Sequence, residues 1–277
     1  MIARLLTALL ALLPVAAAAE PPSRIVSINL CADQLLLALA DPSQIAALSP
    51  YATDPGMSFL AAEAAAFRHD AGEAETVVGL DPDLVFAGRF TKRATRDMLT
   101  RLGYRVYLLD PARSLDQSID QIREVADLVG HPESGETLIA AIEEARARAA
   151  TVAGSLDVGA ALYQRRGYVT GAGTLTDDLM AATGLFNTGG ALVSGTGGFV
   201  PLERLVAERP SALIVQSADQ RAEDQGSALL AHPALAALYP PERRIVLPER
   251  LTVCGGPSLP AAFDWLSSEA RRISQAS

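Results

Sequence analysis

The sequence has 277 residues, is 49% hydrophobic and 20% charged, and carries a formal net charge of −9. An acidic balance argues against nucleic acid or an anionic membrane surface as partner, and two cysteines are too few for a fold stapled by disulfides. The length admits one large domain or two lobes, each able to bury a core.

Arg4 precedes an apolar run from Leu5 to Val15 that is too short to span a bilayer, and Ala17, Ala18 and Ala19 follow as a small-residue cleavage pattern. Residues 1–19 are therefore expected to be a removable export signal. With no cysteine at the cleavage position, the mature chain is expected to be soluble, outside the cytoplasm, in the periplasm.

From Arg24, Ile25 to Ile28 reads as a buried strand, turning at Asn29 to Ala32 into a helix over Asp33 to Ala40. Ile45 to Leu48 is a second strand. A short helix near Glu75 to Leu80 is stopped by Pro82, and Leu84 to Phe86 is a third strand. Thr91 to Leu102 is helical with Gly103 as its stop, and Tyr104 to Leu109 is a fourth strand. This alternation implies a parallel sheet covered by helices.

Ser114 and Gln117 form a capping-box pattern opening a helix whose Leu115, Ile119, Ile122 and Val125 share one face, ended by Gly130. A longer helix follows, with Leu138, Ile142, Ala145, Ala149 and Val152 at helical spacing, suited to a rigid spine between lobes. From Gly159 the alternation resumes through a strand at Tyr168 to Thr170, a helix at Asp177 to Ala182, strands at Ala212 to Val215 and Ile245 to Leu247, and a closing helix around Ala261 to Ile273. The boundaries expected are 20–132 for the first lobe, 133–155 for the interlobe helix and 156–277 for the second lobe.

The two halves echo one another. Glu75 to Phe86 reads acidic residue, apolar pair, Pro82, apolar strand, and Glu203 to Ile214 repeats it around Pro210 at the same relative positions. A weaker echo relates the stretch from Cys31 to that from Thr174. Each glutamate opens its short helix, where the helix dipole favours a negative charge by roughly 0.3–1 kcal/mol. Local stability and a shared external partner both account for such a carboxylate.

Motifs of catalysis are lacking. Gly171-Ala-Gly173 starts like a dinucleotide fingerprint without its last glycine, and Gly195 to Gly198 lacks the lysine and hydroxyl of a phosphate-binding loop, so both read as turns. There is no Gly-x-Ser-x-Gly elbow, Lys92 is the sole lysine, and three scattered histidines give no zinc spacing. The chain is not expected to be an enzyme. The rival classes are an exported α/β enzyme on a small acidic or sugar-like substrate and a two-lobed sensor ectodomain.

The Arg24 to Ala40, Glu75 to Phe86, Thr91 to Asp110 and Glu203 to Val215 segments, in this order and spacing, resemble the periplasmic binding proteins of iron-siderophore, heme and vitamin B12 ABC importers. The resemblance covers essentially the whole mature chain. It implies the α/β class III architecture, in which two Rossmann-like lobes with parallel central sheets are joined by a single long helix. By the same resemblance the protein captures a metal chelate, a ferric siderophore first and cobalamin or heme as alternatives. The chelate is cargo, and no cofactor or resident metal is implied. Partners would be the chelate and the permease dimer, docked through Glu75 and Glu203, with the binding protein a monomer.

The cargo should lie between the lobes, on loops leaving the carboxyl ends of strands. That placement nominates Asn29, Cys31, Tyr51, Arg89 and Phe90 in the first lobe and Tyr168, Phe199, Arg250 and Cys254 in the second. The aromatics suit a flat macrocycle or a catecholate, and the arginines suit carboxylate or catecholate oxygens. An axial ligand to heme would fall to Tyr51, His69 or Tyr168. Vitamin B12 binders are rich in cleft tryptophans, whereas the sole tryptophan, Trp265, sits in the closing helix and is expected in the core. Cys31 and Cys254 form a candidate disulfide between lobes, with free thiols beside the cargo or unrelated buried thiols as the alternatives.

Overall fold

The computed structural model describes residues 20–216 and 225–276, so the expected export signal lies outside the described residues. In chain order the first lobe runs β1 (Ile25–Ser27), α1 (Leu30–Leu39), β2 (Ile45–Ala47), α2 (Ala61–Ala64), α3 (Ala74–Val78), β3 (Leu84–Gly88), α4 (Arg93–Arg101), β4 (Val106–Leu109) and α5 (Leu115–Val129). Its four strands are all parallel, in the order β2-β1-β3-β4. Central strands β1 and β3 are buried along their whole length, as parallel strands covered on both faces must be.

α6 (Pro132–Ala153) joins the lobes. It packs on α5 on one side and on the closing helix on the other. Its buried stripe is Gly135, Ile139, Ile142, Ala145 and Ala149, so the helix is turned slightly from the expected face and Leu138 and Val152 are only half-buried. The reason lies at Gly135, where a Cβ would come within 2.7 Å of the Ala126 Cβ: the backbone of α6 approaches α5 there, and only glycine allows it.

The second lobe runs β5 (Val158–Leu162), β6 (Tyr168–Thr170), α7 (Leu175–Ala182), β7 (Leu185–Asn187), α8 (Gly189–Leu192), β8 (Gly197–Phe199), α9 (Leu202–Glu208), β9 (Ala212–Gln216), α10 (Gln225–Ala228), α11 (Pro233–Leu238), β10 (Arg244–Leu247) and α12 (Leu259–Ala276). Four strands form a parallel sheet in the order β10-β9-β5-β7. Two expectations are corrected here. Tyr168 to Thr170 does not join the parallel sheet but pairs antiparallel with Gly197–Phe199, and the Gly195 to Gly198 stretch, read as a turn, supplies that partner strand. Trp265, expected in the core, is partly exposed on α12.

The echo is a structural repeat. Reading each sheet outward from its first strand, β2-β1-β3-β4 and β7-β5-β9-β10 are the same arrangement. α3–β3 and α9–β9 occupy equivalent places, and α1 and α7 each lead to the edge strand beside the first strand. Both echo strands begin two residues past their proline, and the residue before each proline, Asp81 at φ 48° and Arg209 at φ 50°, takes the left-handed conformation. Non-glycine residues adopt that conformation uncommonly, and the residue before a proline is disfavoured in the right-handed helical region. The same backbone solution to leaving a helix before a proline is used twice. Buried side chains from both sheets and from α1, α5, α6, α7 and α12 merge in one core.

Candidate cleft between the lobes

Beside α6 and the shared core, a disulfide and two hydrogen bonds tie the lobes together among the described residues. Cys31, in the first turn of α1, forms a disulfide with Cys254, on the loop after β10, with Cα atoms 5.3 Å apart. The Gly256 amide donates to Ser118 Oγ at 3.0 Å, and the Leu115 amide donates to the Asp178 carboxylate at 3.0 Å. Since α1 leaves the carboxyl end of β1 and Cys254 follows β10, both sheets turn their carboxyl ends toward one seam. Loops leaving such ends are where open α/β sheets present ligand contacts.

The first-lobe wall carries Tyr51, in a short turn after β2 and 58% exposed, and Phe90, after β3 and 88% exposed. Arg89 beside it pairs with Asp110 at 3.6 Å. Phe90, Arg89, Asp110, Arg113 and Gln117 line a cavity of about 520 Å³ on this flank, a size that suits a small organic ligand. A larger cavity, about 640 Å³, lies beside edge strand β7 and includes neither cysteine.

The second-lobe wall is built on the β6–β8 ribbon, in which Tyr168 and Phe199 are register partners. Their rings meet edge to face at 5.5 Å, and Phe199 is 71% exposed. Gly197 makes this possible: at φ 155°, a Cβ there would sit 2.3 Å from the Tyr168 hydroxyl oxygen. Arg250 projects from the turn Glu249–Leu251 after β10 and is exposed.

Two nominated contacts are committed to the fold. Asn29 caps α1 through its Oδ1, which accepts from the Ala32 amide at 3.0 Å, and its amide end fills the space over Gly88. Cys254 is 3% exposed within the disulfide, while Cys31 is partly exposed. Two arginines that the sequence reading left aside also stand on seam loops. Arg113 follows β4 next to Ala112, whose Cβ faces Gly255 of the other lobe, and Arg166 lies in the turn after β5. Their type and place after a strand were visible in the sequence, but the company of Asp110, Asp120 and Glu124 on the walls of the Arg113 cavity was not.

Beneath the Tyr51 turn lies a fully buried carboxylate. Asp33 accepts from the Ser49 amide at 3.1 Å and from Ser49 Oγ at 2.5 Å. Burial pushes its pKa up to about 6, against the lowering effect of its hydrogen bonds to Ser27 and Ser49 and of His69 nearby. His69 Nδ1 lies 3.2 Å from the Ser49 carbonyl oxygen, which ties this histidine to the same turn.

Glu75 and Glu203, in the first turns of α3 and α9, are both exposed. Lys92, on the loop after β3, pairs with Glu73 at the start of α3, and that carboxylate raises the lysine's pKa.

A family model described as periplasmic binding protein matches residues 25–240. The cobalamin-binding protein of Halobacterium salinarum is 26% identical over 218 residues, covering 76% of this chain, which spans only 58% of that relative's length. The periplasmic heme-binding protein RhuT of Roseiflexus sp. RS-1 superposes with a TM-score of 0.74 at 23% identity, over 92% of this chain and 98% of that one. The periplasmic vitamin B12 binding protein BtuF of Vibrio cholerae gives 0.69 at 17% identity, over 93% and 99%. At these identities the likeness to solved structures speaks for the fold, and that fold is the two-lobed one built above. The chain belongs to the periplasmic binding protein family.

Proposed function

We propose that this protein is the periplasmic binding component of an ABC importer, capturing a metal chelate between its lobes and delivering it to the permease. The observation that carries the reading is the pairing of exposed aromatics across one seam: Tyr51 and Phe90 on one wall, Phe199 backed by Tyr168 on the other. Large exposed aromatic faces on loops of a rigid scaffold mark a binding surface. Arg250, with the other seam residues, supplies directed donors for oxygen-rich cargo. Glu75 and Glu203 support the docking role, because the repeat places one exposed carboxylate at the same position on each lobe, suited to a two-fold permease dimer. Charge pairing of this kind steers encounter and fixes orientation.

A ferric siderophore is the first cargo class. A second reading, a flat macrocycle of the cobalamin or heme type, is favoured by the aromatic walls and by the cobalamin-binding relative. Titrating ferric siderophores, hemin and cobalamins while following tyrosine fluorescence and chelate absorbance tests both. At least one should bind at micromolar concentration or below, and a panel with no binder refutes the proposal.

A further inference from the structure

Away from the seam, edge strand β10 is entered through two consecutive arginines, Arg243 and Arg244, and neither forms an ion pair among the described residues. Arg243 is held by carbonyl oxygens: its Nε donates to Ser211 at 2.9 Å, and its terminal nitrogens donate to Leu238 at 3.3 Å and to Pro210 at 3.2 Å. Its guanidinium carbon also stands 5.4 Å from the centre of the Tyr239 ring, a cation–π distance. Arg244 has no such support. Its carbonyl oxygen accepts from Arg272 at 2.7 Å, but its own Nε and one terminal nitrogen are buried with no hydrogen-bond partner. Glu242, the nearest carboxylate in the sequence, is exposed and pairs with neither arginine, and Glu269 is taken by Arg272.

The Arg244 side chain lines a cavity of about 330 Å³ whose other walls are Ala236 and Tyr239, Pro240 and Pro241, and Val246. Apart from one phenol these walls are apolar, and among the described residues no acidic side chain stands on them. The volume is at the small end of ligand sites, and an apolar cavity with one directed charge has the make-up of such a site. A charged donor left buried and unpaired is costly, and an acceptor offsets that cost. A carboxylate fits the planar fork of a guanidinium, and the apolar walls suit an apolar body behind it. The second positive charge, Arg243 on the Tyr239 ring, favours an anion at the same walls.

We infer that this cavity is a second binding site, for a small carboxylate with an apolar body, the Arg244 side chain turning to meet the carboxylate while Tyr239 and the two prolines pack on the body. The site is separate from the cargo seam. Arg244 opens β10, whereas the seam lies past Leu247, at the other end of the strand.

The test follows the full mature protein by fluorine NMR in a buffer otherwise free of carboxylates, comparing para-fluorobenzoate with neutral para-fluorobenzamide while chloride holds the ionic strength constant. The acid should bind saturably at about millimolar concentration and at least about tenfold tighter than the amide, the size of one charge-assisted contact. Arg244→Met, which keeps the apolar stem, should abolish that preference. Ala236→Trp, at an exposed helix position on the cavity wall, should block the acid with Arg244 intact, and decides the matter if the first variant does not fold. An acid bound elsewhere, the seam included, would ignore both substitutions. Equal binding of acid and amide, binding of the acid that either substitution leaves unchanged, or no saturable binding of the acid overturns the inference.

Discussion

Asp33 offers a direct measurement of what the buried network under the cleft costs. The carboxylate is fully buried, and its pKa stands at about 6 in the folded protein against an ordinary 3.8. A raised folded-state pKa means that the native state holds the proton more tightly than the unfolded chain. The associated stability is present in full below pH ~3.8, falls as pH rises and is lost by pH ~6. The shift of about two units corresponds to about 3 kcal/mol at roughly 1.36 kcal/mol per unit. Asp33→Asn removes the titration while keeping an oxygen for the Ser49 amide and an NH₂ that can donate to Ser49 Oγ. Urea unfolding followed by circular dichroism at pH 3.5, 5 and 7 should show the wild type gaining about 3 kcal/mol relative to the variant on acidification. Carboxylates that titrate elsewhere, such as Asp83, act on both proteins and cancel in the difference. A difference that stays flat across this range would refute the assignment of a raised pKa to Asp33.

Removing the lobe tie by Cys31→Ser with Cys254→Ser opens a loop with a sequence separation of 223. The chain-entropy argument then gives a loss of up to about 5 kcal/mol, to be read as an unfolding midpoint that shifts with dithiothreitol in the wild type but not in the double variant. Among the described residues, Arg244 Nε and one terminal nitrogen are buried without a hydrogen-bond partner, and burial alone lowers its pKa. Arg244→Met keeps the apolar stem, removes unpaired donors that cost about 1–3 kcal/mol each class of group, and should raise the thermal midpoint; a fall would show that the guanidinium is satisfied in solution. Glu75→Ala and Glu203→Ala should each weaken association with the permease in nanodiscs by about tenfold, equivalent to about 1.4 kcal/mol, with cargo affinity unchanged. Equal docking of the double variant would remove the role from both.

What the sequence made legible was local grammar. Proline stops, glycine caps and apolar spacing placed most helices and strands, because each is decided within a few residues: Ser114 does accept from the Gln117 amide, and Gly130 does close α5 in the left-handed conformation. The partner of Tyr168 to Thr170 was not legible, since it depends on Gly197, whose worth lies in the room it leaves for a tyrosine ring that arrives from across the ribbon. Asn29 shows a similar limit: a polar residue at a strand exit serves as a cap, as a ligand contact or as both, and the distance to the Ala32 amide establishes the cap. The reach between Cys31 and Cys254 is likewise a product of chain segments brought together from far apart. The repeat narrows this gap. Once α3–β3 and α9–β9 are equivalent down to the left-handed residue before each proline, Glu75 and Glu203 become one observation made twice on the same scaffold. Helix stability favours an acidic first turn on each lobe, and the symmetry between the lobes is what the proposed two-fold partner adds a use for.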